Sequence, residues 1–452
     1  MNFPTRKLSL AEALQSARET RALDIGKNIL GNTPELFRQY FPGETAVIVA
    51  DEHTMPIAGS TVATALQNAG QKCEAPFVFT DPDLYAEYSY VTQLEESLRK
   101  HDAIPIAIGS GAINDITKLA AHNLGRPYMC VATAASMDGY TAFGASITYK
   151  GSKQTFNCPA PVAVLADIEI IRNAPPQMTA SGYADLLAKM TAGADWMLAE
   201  ALGIEPIDEQ AWNIVQGGLR DALSDPAGVR ERDERAIEQL TEGLMLGGFA
   251  MQWAKSSRPA SGAEHQFSHL WDMQDHTHNG YPPSHGCKVA IGSLAVSALY
   301  EHLLQLPIET LDVEKCCAAW PELCELEKRI QEIFASYSFI EKAIEETRAK
   351  YISREGLRTQ LEQLRITWPK LKCDLRTQLL PFAELKQMLA AAGAPTEPEQ
   401  IGISRERLRD SFEQAYYIRR RFTVLDFAMR ANLLPDNLEA LFGDDGIWPN
   451  DK

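Results

Sequence analysis

The chain contains no apolar run of about 18 residues, so nothing in it reads as a membrane-spanning helix. Its N-terminal stretch, MNFPTRKLSLAEALQSARET, lacks the apolar segment of a signal peptide. It also lacks any long Lys/Arg block, and 43 Lys and Arg against 60 Asp and Glu leave a net charge of −17. An acidic surface argues against nucleic acid or an anionic membrane as partner. The eight cysteines form no CxxC framework, and the adjacent pair Cys316-Cys317 is badly placed to bond to itself. All eight therefore read as reduced thiols, and the cytoplasm is the expected location. Repeats and low-complexity tracts are absent. What is present is an ordinary globular composition, 45% hydrophobic over 452 residues, enough for two to four domains at roughly 100–200 residues each.

The first third alternates short apolar runs with helical patterns. Candidate strands are 46–50, 76–80, 104–109, 128–132 and 162–166, with helical stretches such as 60–70 and 84–101 between them. This alternation predicts a mostly parallel, doubly wound α/β sheet with helices on both faces. The polar piece SITYKGSKQTFN, with Gly151 at its centre, predicts a β-hairpin inserted before the last strand. PPQMTASG reads as a linker, and beyond it the periodicity is helical in 183–201, 208–223, 232–256, 286–305 and 322–350. The expected division is an α/β unit over 1–173 and an all-helical unit over 174–452, whose acidic last dozen residues are expected to fray.

Two short motifs sit at strand ends. Gly109-Ser110-Gly111-Ala112-Ile113-Asn114-Asp115 joins an apolar strand to a helix, where glycines permit close approach and free N–H groups attract a pyrophosphate. It is not GxGxxG, because Asn114 stands at the last position, and any tight strand-to-helix turn also selects glycine. Asp51 ends the first candidate strand; it suits an adenosine ribose and disfavours a 2′-phosphate, or it simply caps the next helix. Thr133 to Thr141, TAASMDGYT, is a small and hydroxylated loop that lines a cleft or is only a turn.

The segment 262–286 holds five of the nine histidines: His265, His269, His276, His278 and His285. His265 and His269 are four residues apart and share one face of a helix. Such clustering in a thiol-reduced chain favours a divalent metal or catalytic site over scattered core histidines. A carboxylate partner is then needed. Asp185 is the natural candidate, and Asp195 competes with it on spacing alone.

GSGAINDITK, TAASMDGYTA, SGYADLLAK and GAEHQFSH with its distal SHG occur in the order found in the sn-glycerol-1-phosphate dehydrogenases. The chain resembles that family over about residues 45–300, most closely its bacterial branch, within the superfamily of metal-dependent alcohol dehydrogenases and dehydroquinate synthases. The resemblance implies a Rossmann-like NAD-binding domain, a helical domain and an active site in the cleft between them. It implies metal ligation by Asp185, His265 and His285, with zinc, nickel or iron as the divalent ion and His269 directed at substrate. Gly109, Gly111, Ala112, Ile113, Asn114 and Asp115 would wrap the pyrophosphate of NAD, or of NADP; Thr133 and Ser136 would also contact it, and Asp138 would hold a substrate hydroxyl. Ala142 departs from the branch, which often has Ser there, so one cofactor hydrogen bond is lost or moves to Thr141.

The implied reaction is reversible NADH-dependent reduction of dihydroxyacetone phosphate to sn-glycerol 1-phosphate, with the metal polarising the ketone and His269 or a nearby water supplying the proton. A phosphorylated substrate on an acidic protein requires local cations; Lys153, Lys255 and Arg258 are candidates from charge alone. The alternatives are a polyol dehydrogenase on an unphosphorylated substrate, a dehydroquinate synthase-like cyclase, and a non-catalytic nucleotide-binding protein. Asp185 counts against the cyclase, whose branch carries Glu as its carboxylate ligand. A homo-oligomer, dimer or larger, is expected.

Overall fold

Four apolar runs become the centre of a sheet and a fifth, 76–80, one of its edges. A computed structural model describes residues 5–449. Its strands are β1 (Ala22–Gly26), β2 (Ala46–Asp51), β3 (Phe77–Phe79), β4 (Ile104–Gly109), β5 (Met129–Ala132), β6 (Ala145–Tyr149), β7 (Ser152–Phe156) and β8 (Ala163–Asp167). Six form an all-parallel sheet in the order β1-β8-β5-β4-β2-β3. β4, β5 and β8 are buried along their whole length, which is why IPIAIG, MCVA and AVLAD show no polar alternation.

Helices cover both faces. Val62 and Leu66 of Ser60–Asn68 pack with Ile48, Ile106 and Ile108, while Tyr88–Leu98 and Gly111–Asn123 lie over Val47, Val49 and Ala107 on the other side. The chain runs from β2 outward to edge strand β3, but from β4 the opposite way to β5. The switch point of the sheet therefore lies between the ends of β2 and β4, where Asp51 and Gly109 sit. β6 and β7 form the expected antiparallel hairpin, turned by Lys150 and Gly151 at φ values of 51° and 73°.

Three expectations change. β1 was not among the candidate strands; ALDIG is short and mostly half-exposed, and its pairing with β8 at the sheet edge makes it a strand. PPQMTASG is no linker: helix Pro176–Leu187 starts inside it, with Pro176 in the first turn, where a missing N–H costs nothing. The C-terminal residues do not fray as far as Pro449. Trp448 is 1% exposed, stacks on Phe442 and donates its backbone N–H to the Leu441 carbonyl. Residues 450–452 of that stretch lie outside the described part.

Beyond β8 the described chain is helical, and its last third joins the same hydrophobic core as the sheet's helices. No helix among the described residues is long and apolar enough to cross a membrane.

Candidate active site

Three helices bring the candidate metal ligands together. Asp185 is carried by Pro176–Leu187, His265 by Ala263–Met273, and His285 is the first residue of His285–Leu303, where Ser284 caps the helix through the Cys287 N–H. Their close approach depends on glycine. A Cβ on Gly286 would lie 1.9 Å from the Ser181 carbonyl oxygen, and one on Gly292 2.4 Å from that of Glu264. One ligand atom from each of Asp185, His265 and His285 lies within 4.8 Å of the other two. The Nε2 of His265 is 3.5 Å from Asp185 Oδ1.

Hydrogen bonds leave the right atoms free. His265 Nδ1 is 2.8 Å from Glu264 Oε1, so an N–H donated there leaves the Nε2 lone pair facing Asp185. His285 Nδ1 is held at 3.2 Å by Ser268 Oγ, which leaves its other nitrogen available. Lys189, one turn after Asp185, donates to Asp185 Oδ1 at 2.8 Å and pairs with Asp138 Oδ2 at 2.7 Å. The backbone N–H of Asp138 donates to Asp185 Oδ2 at 3.0 Å. A carboxylate with two imidazoles, all buried or half-buried and oriented by neighbours, is a donor set that fits one divalent cation.

The electrostatics separate the groups. Burial would raise the Asp185 carboxyl, but Lys189 and the adjacent imidazoles outweigh it and hold the group well below the usual carboxylate range. Burial and the nearby Asp185 charge push Asp138 upward. Burial pushes His285 down to about 3, and burial with the Arg419 charge keeps His269 well below its ordinary value. His269 therefore sits neutral beside the ligands, its ring 5.9 Å from that of His285 and 6.2 Å from that of His265.

At the switch point, Ser110 precedes the helix Gly111–Asn123 without a side-chain cap, which leaves first-turn N–H groups for a ligand. Gly109 is required because a Cβ there would meet Ile113 at 2.6 Å. Ile113 and Asn114 are buried; Asn114 accepts from the Tyr128 hydroxyl and donates to the Gly139 carbonyl. Asp115 accepts from the Ser146 N–H and so ties the helix to the hairpin. The Thr133–Thr141 loop lies alongside, with Met137 against Gly111 and the Thr133 N–H donated to the Gly109 carbonyl. Asp51 Oδ1 accepts from the N–H groups of His53 and Thr54 and from the Thr54 hydroxyl, a local turn rather than the expected helix cap, since Thr54 is the N-cap of the helix that follows.

Several candidates are placed elsewhere. Asp195 does not compete for the metal position: its carboxylate accepts from Tyr300, Val424 and Ala263, and burial with the Glu264 charge raises it to about 7. His276 is held between the Ile401 carbonyl and Arg407, and the His278 backbone pairs with Tyr281. Arg258 is 1% exposed and bonded to the Phe422 and Asp195 carbonyls, so it is structural rather than phosphate-binding. Lys255 is an exposed helix cap in left-handed conformation. The Thr141 hydroxyl is buried and its proton is donated to the Met245 carbonyl. Sequence reasoning missed Glu264, Lys189 and Lys118, whose ammonium binds the carbonyls of Gly139, Ala142 and Gly144 and holds the loop in shape. The i,i+4 spacing of Asp185 and Lys189 was the one available signal.

Residues 24–175 match the family profile described as iron-containing alcohol dehydrogenase. A glycerol-1-phosphate dehydrogenase (NAD(P)+) of Halalkalibacterium halodurans is 34% identical over 299 residues, 66% of this chain and 74% of that protein. One from Bacillus licheniformis is 30% identical over 362 residues, 79% of this chain and 89% of the relative. Among solved structures, the glycerol dehydrogenase of Schizosaccharomyces pombe superposes with a TM-score of 0.58 at 15% identity, covering 93% of this chain and 90% of that one. That likeness shows a shared fold: a parallel-sheet, Rossmann-like N-terminal part followed by a mostly helical region.

Proposed function

Because the chain belongs to the glycerol-1-phosphate dehydrogenase family, we propose that it catalyses the reversible NAD(P)H-dependent reduction of dihydroxyacetone phosphate to sn-glycerol 1-phosphate. The observation that carries this reading is the convergence of Asp185, His265 and His285 beside a half-buried, neutral His269. Held by those three residues, a divalent ion supplies Lewis-acid polarisation of the ketone, and the nicotinamide supplies the hydride.

The protein's own groups do the rest. Lys189 keeps Asp185 ionised inside the fold and fixes Asp138 against it. Glu264 and Ser268 set the ring orientation of His265 and His285. His269, neutral at working pH, offers one donor and one acceptor nitrogen to a substrate hydroxyl and passes a proton at that oxygen. Asp138 orients a second hydroxyl. The N–H groups of Gly111, Ala112 and Ile113 would hold the pyrophosphate, with Gly109, Thr133 and Ser136 shaping its bed and the remaining Asp51 oxygen available to the ribose. Asn114 and Asp115 act as supports for that turn.

The reading extends to a division of the chain near residue 173, to cytoplasmic action, supported by eight free cysteines, and to a homo-oligomer that covers apolar side chains such as Ile366, 81% exposed. The test follows nicotinamide absorbance with dihydroxyacetone phosphate, before and after chelation and after re-addition of zinc, nickel or iron singly. Metal-dependent oxidation of NADH, faster than with free dihydroxyacetone and yielding the sn-1 product, is expected. No oxidation with any metal, despite measurable NAD binding, overturns the proposal.

A further inference from the structure

A phosphate dianion entering a protein of net charge −17 needs a fixed positive site. Of the three cations named from charge alone, Arg258 is committed to backbone carbonyls and Lys255 faces solvent. Another cation reaches the histidines from a part of the chain with no motif.

Helix Arg405–Tyr417 runs antiparallel to the His265 helix: Trp271 donates to Ser411, Phe267 meets Phe412 edge-on at 5.0 Å, and Gln266 donates to the Arg421 carbonyl. The turn after it, Arg419-Arg420-Arg421, is thereby laid across the start of that helix. Arg420 is pinned by Glu346, through both its backbone N–H and its guanidinium. Arg421 donates to the Ser261 carbonyl at 2.6 Å and to Ser257 Oγ at 2.9 Å. Arg419 immediately precedes these anchors and makes no hydrogen bond or ion pair with any described residue.

Arg419 is half-buried, and that burial lowers the proton affinity of its guanidinium. The one opposite charge acting on it, Glu346, is already bonded to Arg420 and Lys342. Arg419 instead bears on His269. An unpaired cation held inside a fold is costly unless an anion joins it. On the other side, β7 packs against the His265 helix, and Lys153 on it also acts on His269 and His285. Lys153 also acts on Asp115 and Asp272, but these acids pair with Lys118 and Lys288 respectively. Arg419 and Lys153 thus both act on His269, and neither forms an ion pair with a described residue.

We propose that Arg419 and Lys153 form the subsite for the substrate's phosphate group, so that the C-terminal helices complete the active site by delivering Arg419. The planar fork of Arg419 takes two phosphate oxygens, and Lys153 closes from the hairpin as a point charge. This inference rests on the phosphorylated-ketone reading above.

The test compares the metal-loaded wild type with Arg419→Gln, Arg419→Lys and Lys153→Met, using the ratio of kcat/KM for dihydroxyacetone phosphate to that for dihydroxyacetone. In Arg419→Gln the ratio should fall about 100-fold, with partial recovery in Arg419→Lys and a smaller fall in Lys153→Met. Inorganic phosphate should raise the Tm of the wild type and not that of Arg419→Gln, a readout independent of turnover. An Arg419→Gln enzyme that keeps both its phosphate preference and its phosphate-induced Tm shift overturns the subsite and leaves the function standing. A wild type with no preference for the phosphorylated ketone overturns the function and the subsite together. Should Arg419→Gln fail to fold, an unchanged ratio in Lys153→Met still overturns the proposal.

Discussion

At the scale of single residues, the candidate metal ligands are held by the buried side chains of Glu264 and Lys189. Glu264 is fully buried, accepts from the Gly262 N–H and bonds His265 Nδ1 through Oε1, while Oε2 accepts from Thr191. A carboxylate behind an imidazole fixes the ring and raises its basicity. Glu264→Gln keeps the shape and removes the charge. We expect the variant to bind its metal about 10–100-fold more weakly, measured by competition with a chromophoric chelator. Unchanged affinity would show that Glu264 serves packing alone. Asp185 needs the opposite support: without Lys189, two buried carboxylates, Asp138 and Asp185, would face each other uncompensated.

At the scale of elements, the site is a crossing of helices whose spacing is set by missing side chains. Gly286 and Gly292 let His285–Leu303 pass the Asp185 and His265 helices at backbone contact, and Gly182 lets the Asp185 helix touch the Ala135 carbonyl. Gly286→Ala places a methyl against the Ser181 carbonyl, and neither backbone can yield without moving His285. A loss of about 3 kcal/mol in chemical denaturation, with reduced metal occupancy, is the expected result. Gly356→Ala is the control. It lies in the first turn of Arg354–Gln378 with ordinary space around it, so it should stabilise the fold by up to about 1 kcal/mol. Equal effects of the two substitutions would refute the close-contact account. The same physics explains the misjudged linker, where proline and glycine served a helix start and a close contact rather than flexibility.

At the scale of the whole molecule, one core runs from the sheet's helices to the last third of the chain and encloses many neutral groups. Burial pushes the thiols of Cys130 and Cys158 up to about 12 from an ordinary 9.0, and Tyr128 is raised as well. Unfolding lets these groups ionise at their ordinary values, so above about pH 9 the unfolded chain binds fewer protons than the folded one. Stability from them is complete below pH 9 and is lost as pH climbs toward 12, by about 1.4 kcal/mol per pH unit for each group. Lys350, pushed down to about 8 by burial against the pull of Asp426, gives the opposite slope between 8 and its ordinary 10.5. Arg421, pushed down to about 9 by burial, and Lys288, also lowered by burial, act in the same sense as Lys350. The raised groups outnumber them, with Tyr140, Tyr183 and Tyr416 lifted by burial beside Cys130, Cys158 and Tyr128, so urea midpoints should fall from pH 9 to 11. A flat profile would contradict the burial of these side chains.

Local pattern determined much of this protein. The apolar runs in 46–50, 104–109, 128–132 and 162–166 specify buried parallel strands, because only a strand covered on both faces has no polar alternation. The four-residue spacing of His265 and His269 specifies a shared helix face for the same kind of reason. Only the tertiary structure decided which carboxylate joins them. Asp185 and Asp195 are both on helices and both buried, and it is the approach of three helices at Gly286 and Gly292 that selects Asp185. The tertiary structure also commits Arg258 to carbonyls, while Arg419, some 150 residues beyond His269, is left without a hydrogen-bond or ion-pair partner among the described residues and its charge acts on His269. Charge can be read along a chain. Whether a charge is already spent depends on neighbours distant in sequence, and those exist only once the helices have packed.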